Sequence, residues 1–208
     1  MISAYPVPGA LLGAPQARTY TYCFAAGTGI DTPSGPRAVE ELREGDDILT
    51  ADGRAVPMLW LGRQPLVKRF RGARAQLVRI AAGALGGGLP RRDLLVTGDH
   101  GMVLDGLVIN AGALGGGGGI DLVPLSRTPD RQTVYHVETA RHEVILAEGA
   151  ACETFVDYAG RAAFDNYADY LARHGAGWLI PENPLPRISA ARQIPWHLRR
   201  RIGLGRAS

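Results

Sequence analysis

Short runs in which apolar and polar residues alternate occupy most of the chain between residues 23 and 155. A period of two places alternate side chains on opposite faces of an extended chain, so each run predicts a β-strand. The segment Pro-Ser-Gly-Pro at 33–36 predicts a hairpin between 29–32 and 37–39. Asp105-Gly106 stands between two apolar triplets and predicts a two-residue hairpin. Further strands are predicted at 45–50, 56–61, 76–80, 93–97, 102–104, 107–109, 134–139 and 143–147.

The pattern changes after Phe155. Apolar residues then recur at near-helical spacing as far as Gly175, which predicts one helix from Ala159, Ala163, Phe164, Tyr167, Tyr170 and Leu171. Structural roles in packing and salt bridges are expected for Tyr158, Arg161, Asp165 and Asn166. Prolines interrupt the remainder, which predicts a linker or arm with one basic amphipathic turn around Trp196.

These changes divide the chain into four parts. Residues 1–22 are small, proline-rich and nearly uncharged, which indicates an extended leader. A β domain at 23–155, a helical extension at 156–182 and a basic arm at 183–208 come after it.

Composition agrees with a mostly β domain. The chain has 208 residues, enough for one medium domain, and its 28 glycines and 14 prolines favour many short strands over a helical bundle. Two cysteines are too few for a disulfide scaffold. No run reaches the length of a membrane span, and no standard signal peptide is evident, so the default location is cytoplasmic.

The net charge of +3 is unevenly distributed. Residues 183–208 contain six arginines and none of the 20 acidic residues, so the rest of the chain is mildly acidic. A solvated terminal arm is the favoured interpretation, and an acidic partner for this arm is the alternative.

Two glycine tracts, 81–88 and 111–119, resemble each other. Neither ends in Gly-Lys-Ser/Thr, and neither has the spaced glycines of a nucleotide-binding loop. Flexible loops that join strands are therefore expected, and no cofactor is predicted.

Three stations along the chain carry side chains suited to chemistry. Cys23 offers a thiol nucleophile at the first residue of the β domain, although an unplaced cysteine is more often a small buried hydrophobe. Thr97 ends a predicted strand shortly before His100. His136 and His142 stand six residues apart at either end of a predicted hairpin, but they lack companion ligands at tight spacing, so no metal site is predicted.

In this order, the three stations resemble the Hint (hedgehog/intein) family. CFAAGT at 23–28 with VEEL at 39–42 is similar to its opening motif, and TGDH at 97–100 is similar to its Thr-x-x-His motif. The stretch from 134 to 149 resembles the family's C-terminal motifs. The closest resemblance is to stand-alone Hint domains of proteobacteria, which are similar to bacterial intein-like domains. It implies an all-β horseshoe of short strands and hairpins.

The resemblance also implies a reaction. The Cys23 thiol would attack the carbonyl carbon of Tyr22, and a thioester would form as the nitrogen of Cys23 leaves. His100 is expected to protonate that nitrogen, while Thr97 orients His100 or hydrogen-bonds the scissile amide. His142 or His136 is expected to serve as the base.

Departures from the family restrict the fate of the thioester. An intein ends in His-Asn, but residues 150–155 contain no asparagine, so splicing is not expected. Water or an external nucleophile is the expected acceptor, and the chain's own N-terminal segment is the substrate. His136 stands where most members have aspartate, which puts the activation of the cysteine in question.

Two questions remain open from the sequence. The first is the role of Cys152, which is either a strand filler or a second thiol near Cys23.

The second question is the function of the domain. It is self-processing, or a cysteine hydrolase that acts in trans on foreign peptides, or a Hint-fold module without processing activity that binds a partner through its arginine-rich arm.

Overall fold

The computed structural model describes residues 22–155, 160–176 and 179–204. Within these ranges the chain forms fourteen strands and four α-helices, joined by short 3₁₀ turns. The strands are β1 Phe24–Ala25, β2 Gly29–Thr32, β3 Gly35–Ala38, β4 Asp47–Leu49, β5 Ala55–Val67, β6 Leu77–Ile80, β7 Leu94–Thr97, β8 Gly101–Leu104, β9 Leu107–Asn110, β10 Ile120–Leu122, β11 Arg131–Thr139, β12 Val144–Ala147, β13 Ala150–Glu153 and β14 Arg187–Ile188. The helices are α1 Lys68–Arg71, α2 Ala111–Leu114, α3 Tyr167–His174 and α4 Trp196–Arg201.

Two seven-stranded sheets contain all of these strands, which confirms the predicted all-β class. The first sheet has the order β10-β6-β7-β1-β11-β5-β4, and the second has the order β14-β9-β8-β13-β12-β2-β3. The longest pairing joins β5 to β11, from Arg131 opposite Val67 to Thr139 opposite Met58. The short β1 lies between β7 and β11, so the residues next to it face side chains from both neighbours.

Both predicted hairpins form. β2 pairs with β3 across the turn at 33–34, and β8 pairs with β9 across Asp105 and Gly106. Asp105 has φ 49° and Gly106 has φ 75°. Two successive left-handed residues give a turn whose twist matches that of the flanking strands, and Asp-Gly tolerates this conformation well.

Two apolar clusters form the interior. The larger one contains residues from both sheets, including the fully buried Ile30, Ile109 and Ile145. A second cluster surrounds Cys23 with aromatic and aliphatic side chains, namely Trp60, Leu66, Ala75, Leu77, Val134, Phe155, Phe164, Tyr170 and Ile180. We call this second group the Cys23 cluster. Residues after Phe155 complete it, so the helical extension covers the thiol.

The predicted helix is shorter than its apolar pattern. It divides into a 3₁₀ turn at Arg161–Ala163 and α3, which ends before Gly175 with φ 71°. Arg161 forms a buried salt bridge with Glu138, and Asn166 bonds the backbone of β5 through both atoms of its amide, as expected for structural roles. Tyr158 and Ala159 lie outside the described residues.

The expectation of a solvated arm is wrong for residues 187–204. β14 pairs in parallel with β9, and Leu198 of α4 packs in the larger apolar cluster together with Ile194 before the helix and Ile202 after it. The nitrogen Nη1 of Arg201 lies 2.7 Å from Oδ1 of Asp105, so part of the basic charge is neutralised within the protein. The domain limits and an acidic partner for this segment stay predictions.

The second glycine tract also departs from expectation. Its first residues form α2, in which Ala111, Ala113 and Leu114 are buried, because the Ala and Leu side chains fill a space beside β7 and β9. The prediction of a flexible loop is therefore wrong for 111–114. No helix in the described part of the chain is long and apolar enough to cross a membrane.

Leu198 provides a test of the docked arm. Its side chain is fully buried, so we expect Leu198→Ala to lower the free energy of unfolding by about 3 kcal/mol. The control is Trp196→Ala on the same helix, since Trp196 is 68% exposed and should cost less than about 1 kcal/mol. Urea unfolding followed by circular dichroism measures both values, and equal small effects would show that α4 does not pack on the domain.

Candidate functional site

The backbone of Cys23 is held by the end of β7. The N–H of Thr97 donates to the carbonyl oxygen of Cys23 at 2.9 Å, and the N–H of Cys23 donates to Oγ1 of Thr97 at 2.9 Å. The first bond extends the pairing of β1 with β7, which brings the Thr97 hydroxyl to the amide of Cys23. Thr97 therefore contacts the nitrogen of the Tyr22–Cys23 peptide bond directly.

The thiol of Cys23 is fully buried in the Cys23 cluster. Burial raises the pKa of Cys23 above its ordinary value, and the charge of Arg71 opposes this only in part. The thiol is therefore protonated at neutral pH, and its nucleophilic form requires a base.

His136 is the histidine in contact with this thiol. Its Nδ1 lies 3.8 Å from Sγ of Cys23, and its ring packs against Phe155 and Phe164. Burial lowers the pKa of His136 well below its usual range, so the ring is uncharged at neutral pH and has a lone pair available. The residue opposite His136 on β5 is Gly62, where a Cβ would lie 2.9 Å from the ring of Phe164.

His100 lies beside the other half of the same peptide bond. It follows β7 through a tight turn, is fully buried, and packs edge-on against Phe24 at 4.2 Å between ring centroids. Burial lowers the pKa of His100 to about 4, and the charge of Glu153 and then the backbone of Tyr22 oppose this in part. Neither ring nitrogen reaches good hydrogen-bond geometry with any atom of the described residues.

Glu153 at the end of β13 is a charged centre that the sequence analysis did not identify. Its carboxylate accepts the N–H of Gly101 at 2.8 Å and forms a salt bridge with Arg187 through both oxygens. Burial alone would raise its pKa, but hydrogen bonds from His142 and Arg187 outweigh burial and lower the pKa of Glu153 to about 2. Glu153 is therefore ionised at neutral pH, and its charge acts on both His100 and His136.

His142 belongs to this charged centre. The N–H of Asn183 donates to Nδ1 of His142 at 2.9 Å, so the ring proton resides on Nε2. Nε2 lies 3.1 Å from Oε2 of Glu153, to which it donates. Both nitrogens of His142 are thus engaged, and of the two histidines considered as bases, His136 is the one that meets the thiol.

The sequence was compared with models of known protein families. The family model described as "Hint domain" matches residues 22–159. The chain belongs to the Hint domain family. Membership supports an autoprocessing type of domain in general, as the sequence motifs implied.

Solved structures similar to this Hint domain are inteins and intein-like domains. A bacterial intein-like domain from Clostridium thermocellum is 17% identical, with 65% of this chain and 100% of that chain covered and a TM-score of 0.45. The gp41-1 intein is 13% identical, with 62% and 96% covered and a TM-score of 0.46. The MchDnaB-1 intein is 14% identical, with 64% and 99% covered and a TM-score of 0.43. No curated protein matches the chain.

Cys152 packs inside the Hint domain. Its Sγ lies 3.7 Å from Sδ of Met102 on the neighbouring strand, and it is fully buried in the larger apolar cluster. Cys23 belongs to the other cluster, and both thiols are free. The interpretation as a strand filler agrees with this packing. Among the described residues, no three His, Cys, Asp or Glu side chains are arranged to hold a metal ion.

The buried histidines predict an acid-sensitive fold. Unfolded, His100 takes up a proton near its ordinary pKa of 6.5, whereas folded it does so only near 4, so lowering the pH favours the unfolded chain. Between about pH 7 and about pH 4.5, His100 alone should remove about 2 to 3 kcal/mol of stability. Over the same pH range, the loss of stability of the His100→Gln variant should be smaller than that of the parent by this amount.

The control for this measurement is His197→Gln, because the His197 side chain is 55% exposed. Urea unfolding of all three proteins at the two pH values gives the comparison. An equal loss of stability in His100→Gln and in the parent would contradict a buried, uncharged His100.

Proposed function

We propose that this Hint domain processes its own chain at the Tyr22–Cys23 peptide bond through an N–S acyl shift. The observation that carries the proposal is that two side chains engage Cys23 at this bond. Oγ1 of Thr97 accepts the N–H of Cys23 at 2.9 Å, and Nδ1 of His136 lies 3.8 Å from its Sγ. The only thiol in the Cys23 cluster belongs to the residue whose nitrogen would leave.

His136 removes the thiol proton as Sγ of Cys23 bonds to the carbonyl carbon of Tyr22. The carbonyl oxygen takes up the electron pair, and the N–H of the His100 imidazole stabilises the resulting negative charge. The tetrahedral centre then collapses, the C–N bond breaks and the C–S bond remains as a thioester.

The leaving nitrogen needs the proton that His136 has taken. We assign its delivery to His100, whose N–H proton passes to the nitrogen as the other ring nitrogen takes up the proton from His136. The hydroxyl of Thr97 keeps the nitrogen of Cys23 in place and accepts a hydrogen bond from the new amine. The net change moves one proton from sulfur to nitrogen, so atoms and charges balance.

Burial of the thiol favours this intramolecular reaction over a hydrolase that acts in trans. A foreign peptide would have to displace the aromatic side chains around Cys23, whereas the neighbouring carbonyl of Tyr22 is already beside it. Splicing is not proposed, because residues 150–155 contain no asparagine to cyclise. Water or an external nucleophile resolves the thioester.

A fusion protein tests the reaction. We expect a folded protein fused upstream of Met1 to be released with Tyr22 at its C-terminus, faster with added dithiothreitol, which intact mass spectrometry detects. Cys23→Ala should abolish release. The matched control Cys152→Ala removes an equally buried thiol and should retain it.

Three outcomes separate the candidate functions. No release over several days from a folded parent would contradict self-processing and favour a binding module. Cleavage of foreign peptides by an intact chain would favour the hydrolase. Release from Cys23→Ala would exclude Cys23 as the nucleophile.

The pH profile tests His136 as the base. With dithiothreitol at saturating concentration, we expect the release rate to be nearly constant from about pH 6 to about 8.5. His136 is already deprotonated over this range, because its pKa is lowered, and Cys23 is still protonated, because its pKa is raised. His136→Gln should release slowly, with a rate that rises about tenfold per pH unit as thiolate forms. The same rise in the parent would contradict His136 as the base.

A further inference from the structure

We propose that Arg187 makes the site selective for an upstream segment that ends in an aromatic residue, by binding the ring of Tyr22. This inference rests on the proposed function, because Tyr22 is the residue whose carbonyl would be transferred. Arg187 lies beyond residues 22–159, which match the Hint family model. The C-terminal segment therefore contributes a specificity-determining residue to the reaction.

The contact is a cation over an aromatic face. The Cζ of Arg187 lies 5.6 Å from the centroid of the Tyr22 ring, within the range of a cation–π interaction. Tyr22 is only 4% exposed, so the ring and the guanidinium interact with little water between them. Reduced screening strengthens the attraction relative to an exposed pair.

Arg187 is held rigidly in this position. Nη1 lies 3.1 Å from Oε1 of Glu153 and 3.0 Å from Oδ1 of Asn110, and Nη2 bonds Oε2 of Glu153. Its backbone is fixed by the parallel pairing of β14 with β9, which sets Arg187 opposite Val108. Because Nη1 and Nη2 are both hydrogen-bonded, the planar guanidinium loses little further rotational freedom when the ring of Tyr22 packs on it.

The position of the ring links recognition to reaction. The ring that contacts Arg187 and the carbonyl carbon that Cys23 would attack belong to the same residue, so the contact with Arg187 also restricts the orientation of that carbonyl. An aliphatic side chain lacks the negative π face that the guanidinium attracts. A lysine in place of Tyr22 would put a second positive charge against Arg187, which is unfavourable. The expected order of release rates is therefore Tyr and Phe first, then Leu, then Lys.

A double-mutant cycle on the upstream fusion tests this selectivity. With Arg187 present, Tyr22→Phe should release at close to the parent rate, and Tyr22→Leu about three- to twentyfold more slowly. In an Arg187→Met background, the rates for Tyr22 and Tyr22→Leu should agree within about twofold. A general loss of stability slows both proteins alike, so the ratio reports recognition alone.

Two further variants complete the design. Arg200→Met is the matched control, since Arg200 stacks on the exposed Trp196 of the same C-terminal segment, and it should keep the parent preference. If Arg187→Met does not fold, Arg187→Lys replaces it: Lys keeps a charge beside Glu153 but loses the planar fork, so the preference should shrink.

The outcomes distinguish this inference from the proposed function. Release from the parent with an unchanged Tyr-to-Leu ratio in Arg187→Met, or in Arg187→Lys if only that variant folds, would overturn the role of Arg187 and leave self-processing intact. No release from the folded parent would contradict both. A ratio that also collapses in Arg200→Met would show a general effect of the segment and would contradict specific recognition by Arg187.

Discussion

The arrangement of the site depends on the hydrogen bonds and the salt bridge that the ionised carboxylate of Glu153 accepts. This carboxylate joins β13 to the first residue of β8, to the imidazole of His142 and to the guanidinium of Arg187. A charge buried this deeply is tolerated only when several donors surround it, and removal of any one donor leaves part of the charge unpaired. Even the space is restricted, because a side chain at Gly101 would collide with the Glu153 carboxylate.

Burial gives three residues around the Tyr22–Cys23 peptide bond a common character. Cys23, His100 and His136 are all kept uncharged at neutral pH, each by loss of contact with water. Such a site holds no ready-made thiolate that oxidants or foreign electrophiles would consume. In the proposed reaction, proton transfer from the thiol to His136 therefore takes the place of a thiolate that is already formed.

The sequence predicted the fold well where alternation was regular. The hairpins and most of the strands of both sheets follow from period-two patterns, and Cys23, Thr97 and His100 follow from ordered motifs. β10 was missed because three residues, Ile120–Leu122, are too few to show alternation. The docking of α4 was also not predicted, although Ile194, Leu198 and Ile202 recur every fourth residue. The arginines in the same segment indicated exposure to solvent instead. The choice between His136 and His142 and the role of Glu153 depend on partners far away in the chain, such as Asn183 and Arg187, which no local pattern reveals.

The parallel pairing of β14 with β9 forms late during synthesis of the chain. Arg187 is 34 positions after Glu153 in the chain, so during synthesis the carboxylate is made well before its guanidinium partner. Until that later segment leaves the ribosome, the buried carboxylate of Glu153 lacks the guanidinium of Arg187. The order of synthesis thus postpones the complete ion pair until the chain has been made beyond residue 187.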